Sequence, residues 1–196
     1  MLPFFFINAC IAPLIGLTGV SASLLLLCVR TAIKTYGFNT LYATVSAYHI
    51  PSFCGALYFS ALTTPRLRLL VLSIPVLCIA LFAIHPIGSL ALPYTAYWII
   101  PLIALAYPHK NFFIHALGST FITHAVGSVI WLYTRPTIPL YCINFIPVVM
   151  VERLLIAAGM TVLYLCFNYL KNGYYGLNSK KSATSLLERQ SLMQLR

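Results

Sequence analysis

IPVVMVERLLIAAGMTVLYLCFNYL, residues 146–170, is an apolar run broken by one acid and one base, Glu152 and Arg153. Roughly 20 mostly apolar residues suffice to cross a bilayer as a helix, and this run is that long. An ion at membrane depth costs roughly 2.5–3.5 kcal/mol on insertion scales, so it persists where something inside the protein receives it. Glu152 and Glu188 are the only two acids of the 196-residue chain. Glu152–Arg153 is therefore the place where a polar ligand is expected.

The rest of the chain has the same character. It is 61% hydrophobic and 7% charged, with mean hydropathy +0.92, whereas soluble domains carry about 25% charge. The length leaves room for six or seven spans at about 20 residues each and none for a soluble catalytic domain. The net charge of +10 is scattered between apolar runs. It reads as topology signals and contacts to anionic membrane lipids, and not as a nucleic-acid surface.

Charges and Pro/Gly clusters divide the chain into apolar segments at residues 3–29, 40–62, 69–84, 88–107, 112–134 and 146–170. Spans in lipid must be helical, because an open strand edge would leave backbone groups unpaired. The expectation is an all-α polytopic membrane bundle of about six transmembrane helices. The third segment is short and ends at His85-Pro86, so it is tilted, broken or completed by its neighbours. Val20-Ser21-Ala22 loosely resembles a cleavage site, but no base precedes the first segment, which points to a retained span.

Arg66, Arg68, Lys110, Lys171, Lys180, Lys181, Arg189 and Arg196 fall on one side of such a bundle, and Arg30, Lys34 and Arg135 on the other. That asymmetry predicts both termini in the cytoplasm. Residues 1–171 form the integral membrane domain and residues 172–196 a basic cytoplasmic tail. In the tail, Ser185-x-x-Glu188 has capping-box form, so either a short helix over 186–196 or irregular chain is expected.

Aromatic residues flank the segments as an interfacial belt: Phe4 to Phe6, Tyr36, Phe38, Tyr107, Phe112, Phe113, Trp131, Tyr133 and Tyr169. Pro51, Pro93 and Pro101 lie inside segments, where kinks open space between helices. Ala12-x-x-x-Gly16 and Gly19-x-x-x-Ser23 mark a close helix–helix face, against this chain or another.

The fifth segment contains an echo, His115-Ala-Leu-Gly-Ser119 and His124-Ala-Val-Gly-Ser128. Nine residues turn an α-helix through about 900°, so the two histidines lie on opposite sides and cannot share a metal on that helix. Each faces a serine four residues on. With the termini inside, Glu152 and Arg153 lie in the outer part of the sixth span. Trp131 lies near the outer end of the fifth, Trp98 near mid-depth of the fourth and His49 in the outer half of the second. Glu152, Arg153, His124, Trp98, Trp131 and His49 are the candidate substrate-binding residues, converging on a pocket open to the outside. Adjacent helix positions diverge by about 100°, which directs Glu152 and Arg153 to different partners. A structural ion pair, or Arg153 reaching outward to the interface, is the competing reading.

Catalytic and cofactor signatures are missing. There is no phosphate loop, no Asp for an aspartyl protease, no H-E-x-x-H and no G-x-S-x-G. The six cysteines show no C-x-x-C pair, and five of them sit in apolar runs as small hydrophobes. No enzymatic activity, no metal and no cofactor are expected.

In length, segment count and inferred orientation, residues 3–170 resemble the six-helix substrate-binding subunits of energy-coupling-factor vitamin transporters. The small-residue motif of the first segment is similar to the surface on which those subunits dock a membrane partner. The resemblance implies capture of a vitamin-, nucleobase- or amino-acid-like solute, partner subunits that supply ATP hydrolysis, and a bacterial cytoplasmic (inner) membrane. A lone proton-coupled carrier using Glu152 and His124, a structural assembly protein, and a His/Ser membrane enzyme are the alternatives.

Overall fold

The computed structural model describes residues 9–35, 50–107, 111–135 and 139–194. Among these, the secondary structure is helical throughout, with no strand. The helices are α1 (Ala9–Thr18), whose last turn Ile15–Thr18 is 3-10, and α2 (Val20–Thr35). Then come α3 (Ile50–Thr63), α4 (Arg68–Ile84) and the short α5 (Pro86–Leu90). A 3-10 stretch, Leu92–Ile99, leads into α6 (Ile100–Ala106). The last three are α7 (Phe112–Thr134), α8 (Pro139–Asn144) and α9 (Ile146–Gln194). The chain divides into two units, Met1–Thr161 and Val162–Arg196.

Among the described residues, three helices are long and apolar enough to cross a membrane: Pro65–Ile84, Phe112–Thr134 and Ile146–Asn172. They match the third, fifth and sixth apolar segments. The short third segment is completed at its start by the 3-10 turn Pro65–Leu67. The other segments differ from single spans. The first is broken at Gly19, whose φ of 119° is in the region that only glycine enters freely. The fourth is divided because Pro93 and Pro101 each fall at the start of a new helical piece. The second is described only from Ile50, as Ile50–Thr63. These three regions appear as shorter apolar helices, Ala9–Thr18, Ile50–Thr63 and Leu92–Ala106.

Helix α7 is the centre of the first unit. Half of its most apolar window is buried, against 22% for each of the other two long helices, and it packs on α3, α4, α6 and the 3-10 stretch. Small residues make this close approach possible. Gly55 of α3 lies against Ser119 and Thr123, and Ser119 Oγ donates to the Gly55 carbonyl at 2.9 Å. A Cβ on Gly118 would meet the Tyr58 hydroxyl and ring and Ala104. Gly127 is less confined, with Pro51 at 3.7 Å from the same construction.

The Ala12/Gly16 half of the small-residue motif faces this chain, whereas a Cβ on Gly19 would meet nothing within 4 Å. Ala12 is buried, and Gly16 lies on the backbone of Ala56 so closely that a Cβ would collide with it. Ser60 Oγ donates to the Gly16 carbonyl at 2.9 Å. In α9, Ile156, Ala157 and Met160 join Cys10, Phe59 and Ala116 in one apolar cluster, while Val149 joins a second one around Trp98. Of the belt aromatics, Tyr107, Phe113, Trp131 and Tyr133 are exposed, whereas Phe112 stacks on Phe59 at 5.5 Å between ring centroids.

The second unit is helical through Gln194, so the tail helix begins well before residue 186. Val162, Leu163, Leu165, Phe167, Tyr169 and Leu170 are exposed, a composition suited to lipid.

Candidate functional site

The echo in α7 sends its two histidines to opposite sides, and a tyrosine hydroxyl from another element meets each. His115 Nδ1 is 3.3 Å from Tyr58 Oη of α3. His124 Nε2 is 2.8 Å from Tyr94 Oη of the 3-10 stretch. The serine four residues after each histidine behaves differently in the two copies. Ser128 Oγ stays with its histidine, 3.4 Å from His124 Nε2 and 3.3 Å from Tyr94 Oη. Ser119 Oγ turns instead to the Gly55 carbonyl. The second copy makes a local triangle of imidazole, phenol and hydroxyl.

Tyr94 reaches α7 because Pro93 begins the 3-10 stretch immediately before it. The same stretch carries Trp98, which is fully buried. Tyr94, Trp98 and Phe82 of α4 form an aromatic cluster. Centroids lie 5.8 Å apart for Phe82–Tyr94, 5.2 Å for Phe82–Trp98 and 6.1 Å for Tyr94–Trp98. Trp98 meets Phe82 and Tyr94 edge-to-face, while Phe82 and Tyr94 stack; edge-to-face and offset-stacked pairs are the preferred arrangements of aromatic quadrupoles.

Helix α9 supplies the charges. Val149 packs into the cluster of Tyr94 and Trp98, and Arg153 lies one turn further along the same face. Arg153 Nη2 pairs with Glu152 Oε2 at 3.0 Å, with side-chain exposures of 14% for Arg153 and 44% for Glu152. This corrects the expectation that neighbouring positions reach different partners. The long arginine side chain spans the angle between two adjacent helix positions.

Two N–H groups in this region are buried and lack a hydrogen-bond partner: Arg153 Nε and Trp98 Nε1. A buried unmatched polar group costs about 1–3 kcal/mol, more when charged. The arrangement thus holds a cation paired through a single contact, two unused donors and an aromatic wall. It offers recognition chemistry. Among the described residues no carboxylate pairs with His124. No group of three or more His, Cys, Asp or Glu side chains among the described residues is placed to hold a metal.

Of the sequence candidates, Trp98 and His124 contact Tyr94, and Glu152 and Arg153 follow Val149, which packs in the same apolar cluster, on α9. Trp131 stands elsewhere, 54% exposed, with the Arg135 guanidinium carbon 5.3 Å from its ring centroid. No ring contact among the described residues joins it to Tyr94 or Trp98. His49 lies outside the described residues. Tyr94, Phe82 and Ser128 were not among the candidates. A tyrosine in the middle of an apolar run is the signal for the first, since its hydroxyl, like an imidazole, requires a partner there.

No protein-family model matches the chain, and no similar curated protein or solved structure was found.

Proposed function

We propose that this integral membrane protein is the solute-binding component of a transporter, and that its ligand lies beside Arg153, Tyr94, His124 and Trp98. The observation that carries the reading is the pair of buried, unpartnered donors, Arg153 Nε and Trp98 Nε1, next to a singly bonded ion pair. Groups so costly in an apolar setting are matched when a polar ligand is present. The same observation favours binding over catalysis, since it supplies donors and an aromatic wall without an activated nucleophile.

In this reading the shorter apolar helices complete a six-span bundle with both termini in the cytoplasm, in keeping with the basic residues of the loops. Transport is powered by partner subunits, as the likeness to energy-coupling-factor substrate-binding subunits implies, and the setting is a bacterial cytoplasmic membrane. The Ala12/Gly16 face is already covered by α3, so partner subunits dock elsewhere.

The test is thermal stability of the purified chain in detergent across a panel of vitamins, nucleobases and amino acids. A saturable rise in melting temperature without turnover is expected for at least one solute. Arg153→Lys removes the planar fork while keeping the charge, and it should abolish that rise while leaving the unliganded melting temperature within a few degrees. A responding solute that stabilises Arg153→Lys as well as the parent would place the site elsewhere.

A further inference from the structure

The unmatched groups around Tyr94 also specify what the ligand must bring. Tryptophan Nε1 and arginine Nε donate hydrogen bonds and never accept them. Trp98 Nε1 and Arg153 Nε are the groups without partners. Nearby, Glu152 Oε2 pairs with Arg153 Nη2, and the Tyr94 hydroxyl, His124 Nε2 and Ser128 Oγ meet one another. Both of the buried groups left without a partner here are donors.

Charge points the same way. Glu152 holds the guanidinium through one oxygen on Nη2, and the neighbouring Nε remains unused. The Nε–Nη2 edge is the one that meets a carboxylate through two parallel bonds. Glu152 is also the more exposed member of the pair, and Arg153 the more enclosed. The enclosed charge is positive.

We propose that the site binds a small organic carboxylate, whose oxygens accept from Arg153 Nε and Trp98 Nε1 and whose apolar body rests against Phe82 and Tyr94. This rests on the binding reading above and narrows it to one ligand class. Glu152 then competes with the ligand for the guanidinium. It tunes affinity downward and is not a recognition group. An amide of the same shape loses the charge, and an organic cation meets Arg153 as a like charge.

The experiment uses the full chain with Trp131→Phe, which leaves Trp98 as the sole tryptophan, in nanodiscs of zwitterionic lipid. The probes are benzoate, nicotinate and phenylacetate, each against its amide, together with phenethylammonium. At least one carboxylate should raise the melting temperature and shift Trp98 emission to the red, with its amide binding at least about tenfold more weakly. Glu152→Gln should bind that carboxylate about tenfold more tightly, because the internal competitor is gone. Amides or the cation acting as strongly as the carboxylates would overturn the anion assignment and leave a binding site standing. A Trp98 response to added phosphatidylglycerol and to no soluble carboxylate would overturn the solute and give the acceptor to lipid. Silence from every probe, with Arg153→Gln folded and as stable as the parent, would remove both the ligand class and the site.

Discussion

His115 and His124 begin nearly the same pentapeptide on one helix, and each meets a tyrosine hydroxyl, yet the surroundings divide them. His115 and Tyr58 are sealed, with 1% and 0% exposure, between α7 and α3. Glycine lies on both sides of that contact, Gly118 under the Tyr58 hydroxyl and Gly55 under Ser119 and Thr123. His124 is only partly buried, and its partner Tyr94 stands beside a tryptophan whose N–H has no partner. One copy of the echo closes a helix interface, and the other lines the candidate site. A local sequence pattern sets which groups are available. What faces it decides what they do.

The sharpest way to break this contrast is to enlarge the sealed side. Gly118→Leu forces a side chain into Tyr58 and Ala104 and should cost about 3 kcal/mol, the upper end for overpacking. Unfolding in detergent measures it, and a cost below that of Gly127→Leu would mean that the tight interface is misplaced. Removing the hydroxyls is gentler. Interhelical hydrogen bonds in membrane proteins average about 0.6 kcal/mol and reach about 1.7. Tyr58→Phe should fall near the upper value because the pair is fully buried. Tyr94→Phe should cost about 0.5 kcal/mol, since Ser128 Oγ still faces His124 Nε2, but should weaken ligand-induced stabilisation. If the two variants swapped, with Tyr58→Phe silent in stability and damaging to binding, the roles of the two copies would be reversed. Smallest of all is Gly127→Ala, within about 0.5 kcal/mol, because the added methyl meets Pro51 only at ordinary contact distance.

Much of this contrast was legible in residue spacing. The nine-residue offset alone placed the histidines on opposite sides, and the apolar segments at 69–84, 112–134 and 146–170 fall in the three described helices long enough to cross a membrane. Breaks in the first and fourth segments were harder to foresee. A glycine at positive φ looks the same in sequence as one inside a helix, and prolines do both things here: Pro75 lies inside α4, whereas Pro93 and Pro101 fall at the start of new helical pieces. His85 shows the same limit: it ends α4 and caps α5, its Nδ1 accepting from the Ile87 N–H at 3.2 Å, a role that follows from Pro86 only once the chain direction is known. The partners of the site were hidden for another reason. Tyr94 meets His124 from 30 positions away, and nothing local to either residue encodes that meeting.

The 3-10 winding of Leu92–Ile99 changes the reach of its segment as well as the direction of its side chains. At about 2.0 Å per residue against about 1.5 Å, eight residues advance about 16 Å where an α-helix would advance about 12 Å. Together with the seven residues of α6, Leu92–Ala106 has a contour of about 27 Å, close to the roughly 30 Å of a hydrocarbon core. Residue count understates how far this piece extends. A thinner, longer thread achieves with fifteen residues what a regular helix would need about eighteen to do, and its reduced girth leaves room for two large rings, Tyr94 and Trp98, to lie along its side.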